Sequence, residues 1–375
     1  MRYTRPMRTK HNDSQGRGEQ VSATKAIQIK LGIDVHASVY VVVRQVDGQN
    51  PQPPQKFRPA EFRAWAQHQT SLAAQVFSCY EAGAFGYGLH RELTALGVRN
   101  VVVCPQQLDE RHTGVKTDQT DARALVLKLD QYVQGNRYAL AVVRVPTPVE
   151  EERRALARQR EQFRDERRRL EAQGRSLLLS QGQRLKGPWW RPRNWQRLTH
   201  GQLATWVLAQ LTRLRALVLA VDEQLQALTQ QLVAVAPAVR PHGLGGLTQA
   251  LIEREVCDWT RFANRRQVAS YLGLCPREFS SGGHRRQGAI TKHGNPRLRV
   301  WLVELAWRLV RFQPQYVAVR HWAPVLANPR ASAARRKKAI VALARRLGVD
   351  LWRLATGRAT AAQLGLALRR DRAVA

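Results

Sequence analysis

The sequence predicts an α/β domain followed by largely helical domains. Three observations predict it. Residues 26–147 hold short Val-rich and alternating apolar runs, separated by turn residues and two amphipathic stretches, in the order β-β-β-α-β-α-β-α. Beyond them, Leu and Val recur in steps of three and four over long Arg- and Gln-rich segments, the spacing of paired helices. At 375 residues with 44% hydrophobic content, the chain is long enough for two or three cores.

The stretch "IQIKLGIDVHASVYVVVRQVDG" predicts one strand ending near Asp34, a second from Val39, and a turn at Asp47-Gly48. A third short strand is expected around Lys56–Arg58, then a helix over Ala60–His68 and the strand "AQVFSCYE". A helix through Leu89–Leu96, the strand "NVVVC" stopped by Pro105, and a helix beginning at Asp118 complete the domain, with Thr117 placed as its N-cap. Three antiparallel strands followed by alternating helix and strand is the order of a ribonuclease H-like domain.

That order gives four acids a common address. Asp34 and Glu81 each end a strand, at the carboxyl edge where sites of α/β sheets gather. Asp118 and Asp121 share a helix face by their i, i+3 spacing. Each also has an ordinary reading, as turn residue, strand end or first-turn acid favoured by the helix dipole. Four carboxylates converging at one edge repel one another, and a divalent cation relieves this. Hard oxygen ligands suit Mg²⁺ or Mn²⁺, so Asp34, Glu81, Asp118 and Asp121 are the expected metal ligands.

Lys and Arg total 61 against 28 Asp and Glu, for a net charge of +33 and a pI near 11.4. An excess of this size, spread along the chain, points to an extended polyanion, with nucleic acid ahead of a membrane surface. There is no apolar run of transmembrane length and no secretory h-region, so a cytoplasmic, nucleoid-associated protein is expected. Residues 1–25 read as a basic flexible arm. The four cysteines lack CxxC spacing and read as small buried hydrophobes, and the histidines form no HExxH pair, which disfavours a zinc hydrolase.

Residues 148–236 carry Leu156, Phe163, Leu170 and Leu177 at seven-residue spacing, then Leu211, Leu214, Val218, Val221, Leu225, Leu228 and Leu232 in steps of three and four. This is a coiled-coil seam, closed either within one chain as an antiparallel hairpin or between chains. The joining "RLKGPWWRPRNWQRL" sets Trp189 and Trp190 among cations, where they could stack exposed bases or plug the hairpin end. Residues 237–330 form a C-terminal domain opening on "PHGLGGLTQALIERE", which resembles a helix-hairpin-helix turn, and 331–375 form a basic helical tail. Its dense stretch "YLGLCPREFSSGGHRRQGAITKHGNPRLRVWLVELAW" reads as a loop through Ser281, then a helix. Arg285, Arg286, Lys292, Arg297 and Arg299 are the candidate phosphate-binding cations. A serine beside such cations can act as a nucleophile, or the loop can bind phosphate without chemistry.

Together "GIDVH", "YEAG", "KTDQTDAR" and "GLCPREFSSGGHRRQGAITKHGNPRLR" resemble the DEDD-type insertion-sequence transposases, a group of bridge-RNA-guided serine recombinases. The resemblance spans most of residues 28–325. It implies a RuvC-like N-terminal domain, a coiled-coil linker, a C-terminal domain whose nucleophile is Ser281, donor and target DNA as substrates, a guide (bridge) RNA, and a homo-oligomer (dimer or tetramer). The acidic tetrad falls on Asp34, Glu81, Asp118 and Asp121. The residues alone leave two other readings open: a metal-dependent structure-specific endonuclease resembling a Holliday-junction resolvase, and a non-catalytic protein that bridges nucleic acids.

Overall fold

A computed structural model describes residues 25–105 and 118–370, apart from the side chains of Ser281 and Arg285. The expected basic arm, save its last residue, and the Thr117 cap lie outside the described residues. The chain divides into two compact units, one ending at Val145 and the other beginning at Pro146.

The first unit runs β1 (Ala26–Val35), β2 (Tyr40–Val46), β3 (Gln55–Phe57), α1 (Pro59–Leu72), β4 (Ala73–Glu81), α2 (Gly88–Ala95), β5 (Arg99–Val103), α3 (Asp118–Val133) and β6 (Val142–Val143). These follow the predicted order, with β6 added; two residues are too few to leave a periodic signal. The sheet order is β3-β2-β1-β4-β5-β6. β1 pairs antiparallel with β2 and parallel with β4, and β5 lies parallel to β4.

Alternation along β1 assigns its two faces. Ile29, Leu31 and Ile33 enter a core with Phe62 and Ala66 of α1 and Leu93 of α2. Lys30, Gly32 and Asp34 point the other way, toward α3. Lys30 is fully buried and meets Asp130 of α3 at 2.5 Å, so a desolvated ammonium is matched by one carboxylate. At Gly32 the α3 backbone comes so close that an added Cβ would lie 2.5 Å from the Val126 nitrogen, and closer still to the Ala122 carbonyl oxygen. Only glycine permits this approach.

The second unit runs α4 (Pro148–Ser180), α5 (Pro192–Thr199), α6 (Thr205–Ala234), β7 (Val239–Pro241), α7 (Gly246–Val256), α8 (Arg265–Tyr271), β8 (Pro276–Ser281), β9 (His284–Ile290), α9 (Pro296–Phe312), α10 (Val317–Leu326), α11 (Ala333–Ala355), α12 (Ala361–Leu364) and β10 (Leu368–Arg370). Thr147 starts α4 with a capping box: its hydroxyl accepts from the Glu150 amide at 3.2 Å and its own amide donates to the Glu150 carboxylate at 2.8 Å.

α4 and α6 pair antiparallel within one chain, with Arg160 donating to Thr229 and Arg167 to the buried Asp222. All seven predicted α6 seam positions are buried or half-buried. Leu225→Glu should therefore place an unpaired charge between the helices and lower the unfolding temperature by roughly 5–10 °C. An unchanged melting curve by circular dichroism would refute the buried seam.

Three expectations change here. Trp189 and Trp190 are buried, with their indole nitrogens donating to the Glu171 carbonyl and carboxylate at 2.9 and 2.7 Å. Trp189 fills the space left by Gly174 in α4, so both rings plug the hairpin end and present no face to a base. The expected basic tail is also core: Ile340, Leu343, Leu347 and Trp352 of α11 pack with Leu302, Leu305 and Leu309 of α9. Among the cysteines only Cys79 is buried, with its thiol against the Leu125 carbonyl; Cys104 is exposed. No helix among the described residues is long and apolar enough to cross a membrane.

Candidate acidic site and the serine hairpin

The candidate acidic site of the first unit forms where β1 and β4 end against the start of α3. Parallel pairing sets Ile33 beside Tyr80, so Asp34 and Glu81 reach the carboxyl edge on neighbouring strands. Alternation points both toward α3, as it does Cys79, which touches Leu125 of that helix. α3 is held along β1 by Lys30–Asp130 at one end and by the close fit at Gly32 in the middle, which delivers its first turn to Asp34.

The result is a cluster of Asp34, His36 and Asp118 whose ligand atoms all lie within 4.8 Å of one another. His36 Nε2 is 3.1 Å from Asp34 Oδ2 and 3.4 Å from Asp118 Oδ2. Burial raises the Asp34 pKa above the ordinary carboxylate value. His36 opposes the rise, while Asp118 and Asp121 add to it. Carboxylates brought together from strand and helix, with partial desolvation, fit a hard divalent cation such as Mg²⁺ or Mn²⁺. Asp34 and Asp118 would hold it, with His36 as a further donor.

The sequence reading missed His36. A signal was available: Lys30, Gly32 and Asp34 share one face of β1, and His36 follows at the same spacing just past the strand's end.

The stretch around Ser281 departs from its expected loop. β8 and β9 form an antiparallel hairpin pairing Ser281 with His284 and Ser280 with Arg285. Gly282 and Gly283 make its turn at φ 56° and 82°, the positive values that a two-residue hairpin turn demands. The polar composition of both strands concealed the alternation. Ser280 donates to Glu278 at 2.9 Å, and alternation puts position 279 on the opposite face. The side chains of Ser281 and Arg285 lie outside the described residues.

The remaining candidate cations divide into two groups. Arg286 and Lys292 are exposed. Arg297 instead pairs with Glu161 of α4 at 2.5 Å, and Arg299 donates to the Leu272 and Lys292 carbonyls at 3.3 Å each. Arg297 thus ties α9 to α4, and Arg299 ties α9 to the segments on either side of the hairpin. Asn295 caps α9 through the Arg297 and Leu298 amides while donating to the buried Glu255, which Arg158 also reaches at 2.8 Å.

An acidic cluster on an α/β sheet and a strongly basic helical unit define a protein that handles a polyanion. Residues 240–320 match the family described as Transposase IS116/IS110/IS902. The putative transposase y4rJ of Sinorhizobium fredii is 34% identical over 323 residues, covering 79% of this chain and 81% of that protein. The putative transposase y4qE of the same organism is 30% identical over 338 residues, covering 80% and 83%. The transposase for insertion sequence element IS1111A of Coxiella burnetii is 26% identical over 309 residues, covering 79% and 82%. The chain belongs to the IS116/IS110/IS902 family of transposases.

Proposed function

We propose that this transposase cuts and exchanges the DNA strands of an insertion sequence through a serine nucleophile, Ser281, assisted by a divalent metal held at the acidic site. The observation that carries the reading is the convergence of Asp34, His36 and Asp118 at the end of the sheet, with Glu81 on the neighbouring strand. Supporting it, the sheet order with three antiparallel strands followed by parallel β4 and β5 fits a ribonuclease H-like domain, and the paired α4 and α6 suit a coiled-coil linker. A bridge RNA selecting the DNA, and a homo-oligomer, complete the proposal. The net charge of +33 suits two nucleic acids, and Trp206 and Leu217, exposed on α6, suit helix-to-helix association.

In the chemistry proposed, the Ser281 oxygen bonds to the scissile phosphorus as the bond from phosphorus to the leaving deoxyribose oxygen breaks. The serine proton leaves to solvent or a base, and the departing oxygen takes one up. The phosphoserine ester conserves the bond energy, so a second DNA hydroxyl can reverse the step and join strands. Arg286 and Lys292 hold the phosphate backbone, and the backbone at Gly282-Gly283, free of side chains, lets the DNA come close. Asp34 and Asp118, with His36, would hold a Mg²⁺ or Mn²⁺, which would supply charge stabilisation to the transferring phosphoryl group.

Ser281→Ala should bind element DNA as the wild type does and yet form no covalent adduct. Denaturing electrophoresis of protein incubated with labelled DNA, with mass mapping of the modified peptide, reads this directly. Full strand exchange by Ser281→Ala, with no adduct in the wild type, would favour hydrolysis by water at the acidic site instead.

A further inference from the structure

Where α4 begins and α7 ends, the second unit holds a cleft whose lining includes no residue of the serine hairpin. One cavity of about 530 Å³ is lined by Arg153, Arg254, Cys257 and Trp259, among others. A neighbouring cavity of about 420 Å³ shares Glu253, Trp259 and Ala355 with it. Each falls within the size range of ligand sites, roughly 300–1,000 Å³.

Three features of the cleft point to one kind of occupant. The first is charge. Arg153 of α4 and Arg254 of α7 lie side by side, with the Arg254 guanidinium donating to the Arg153 carbonyl at 3.2 Å. Burial, and then the neighbouring Arg153, lower the pKa of Arg254. Among the described residues neither guanidinium has a carboxylate partner within ion-pair distance. The two acids of the lining are engaged elsewhere: Glu150 closes the capping box on Thr147, and Glu253 accepts from Gln249. Two neighbouring arginines with no acid at ion-pair distance make a site for an anion such as a phosphate.

The second feature is the aromatic wall. Trp259 is half-buried and lines both cavities, with Val235, Ala250 and Ala355 supplying apolar surface beside it. A flat ring next to a pair of guanidiniums is the combination that receives an unstacked base and its phosphate.

The third is strain. Cys257 sits at φ 66° and ψ −60°, and the Asp258 amide donates to the Val256 carbonyl at 2.9 Å. This is a γ-turn of the rare, strained hand, which costs on the order of 1–3 kcal/mol and is found where function requires it. Here the turn ends α7 within three residues of Arg254 and reverses the chain to bring Trp259 to the same cleft.

We infer that this cleft holds one unpaired nucleotide of a single-stranded nucleic acid, its phosphate on Arg153 and Arg254 and its base against Trp259. The inference rests on the nucleic-acid substrate of the transposase family and is independent of Ser281, the acidic site and the guide RNA.

Photo-crosslinking of the full chain with iodouracil-substituted single-stranded oligonucleotides, one DNA and one RNA, tests it. The wild type should give a crosslink mapping to the peptide that contains Trp259. A crosslink with DNA alone assigns a single DNA strand, one with RNA alone an RNA strand, and one with both a shared nucleotide site. Trp259→Ala should remove the crosslink and weaken single-strand binding by about 5- to 100-fold, while Trp259→Phe keeps most of both. Because Trp259 also packs on the core, the Arg153→Gln, Arg254→Gln double variant provides the second reading. It should weaken single-strand binding with duplex affinity and thermal unfolding unchanged. Crosslinks confined to other peptides, or single-strand affinity unchanged in the double variant, would overturn the assignment whatever the outcome at Ser281.

Discussion

On the proposed metal site, Asp34→Asn is expected to lower strand exchange by about 10²–10³-fold or more, since losing a ligand would remove several kcal/mol of charge stabilisation. The substitution keeps size and removes charge at the residue where strand and helix acids meet. Calorimetric titration with Mg²⁺ or Mn²⁺ should show weakened binding in parallel. Wild-type exchange rates in the variant, together with indifference to chelator, would refute the metal site. The same substitution has an opposite effect on stability. The Asp34 carboxyl is held above its ordinary pKa, chiefly by burial. A carboxyl that holds its proton more tightly when folded than unfolded destabilises the fold once pH exceeds the folded value, and has no adverse effect below the unfolded one. In metal-free buffer Asp34→Asn should therefore melt above the wild type at pH 7, and the two should converge as pH falls toward about 4.

Gly32→Val should be at least as damaging, through geometry alone. A side chain at this position meets the α3 backbone at Ala122 and Val126, neither of which can yield as a side-chain tip would. Overpacking of this kind costs about 1–3 kcal/mol or more, and here the helix that must shift carries Asp118 and Asp121. The expected result is an unfolding temperature lower by several degrees and strand exchange lost with it. Gly32→Ala should show the same effects in weaker form. A Gly32→Val protein with wild-type melting and exchange would mean that α3 does not need its close seat on β1.

Much of the first unit was legible because its signals are local. Period-two alternation, Asp47-Gly48 and Pro105 place β1, β2 and β5 within a few residues of their observed bounds. Two acids ending strands and two spaced by three on a helix start follow from the same patterns. The hairpin at Ser281 was not legible as strands, because its residues are mostly polar and both its faces lack a core to alternate against. Its Gly-Gly turn, of the kind that joins two strands directly, was read only as part of a loop.

The sequence by itself determined the order of elements in the first unit, the apolar stripe of α6, the polyanion-binding charge and the acids available to a site. Tertiary structure alone decided which side chains remain available for function. Trp189 and Trp190 look like base-stacking residues among cations until Gly174 and Glu171 of α4 take them into the hairpin core. Arg297 looks like a phosphate ligand until Glu161, 136 residues away, claims it. His36 joins the acids only because α3 returns Asp118 to its side. The physical reason is one of range. Periodicity and turn chemistry act over a few residues, whereas the partner that satisfies or leaves open a charged or aromatic group comes from wherever packing brings the chain back.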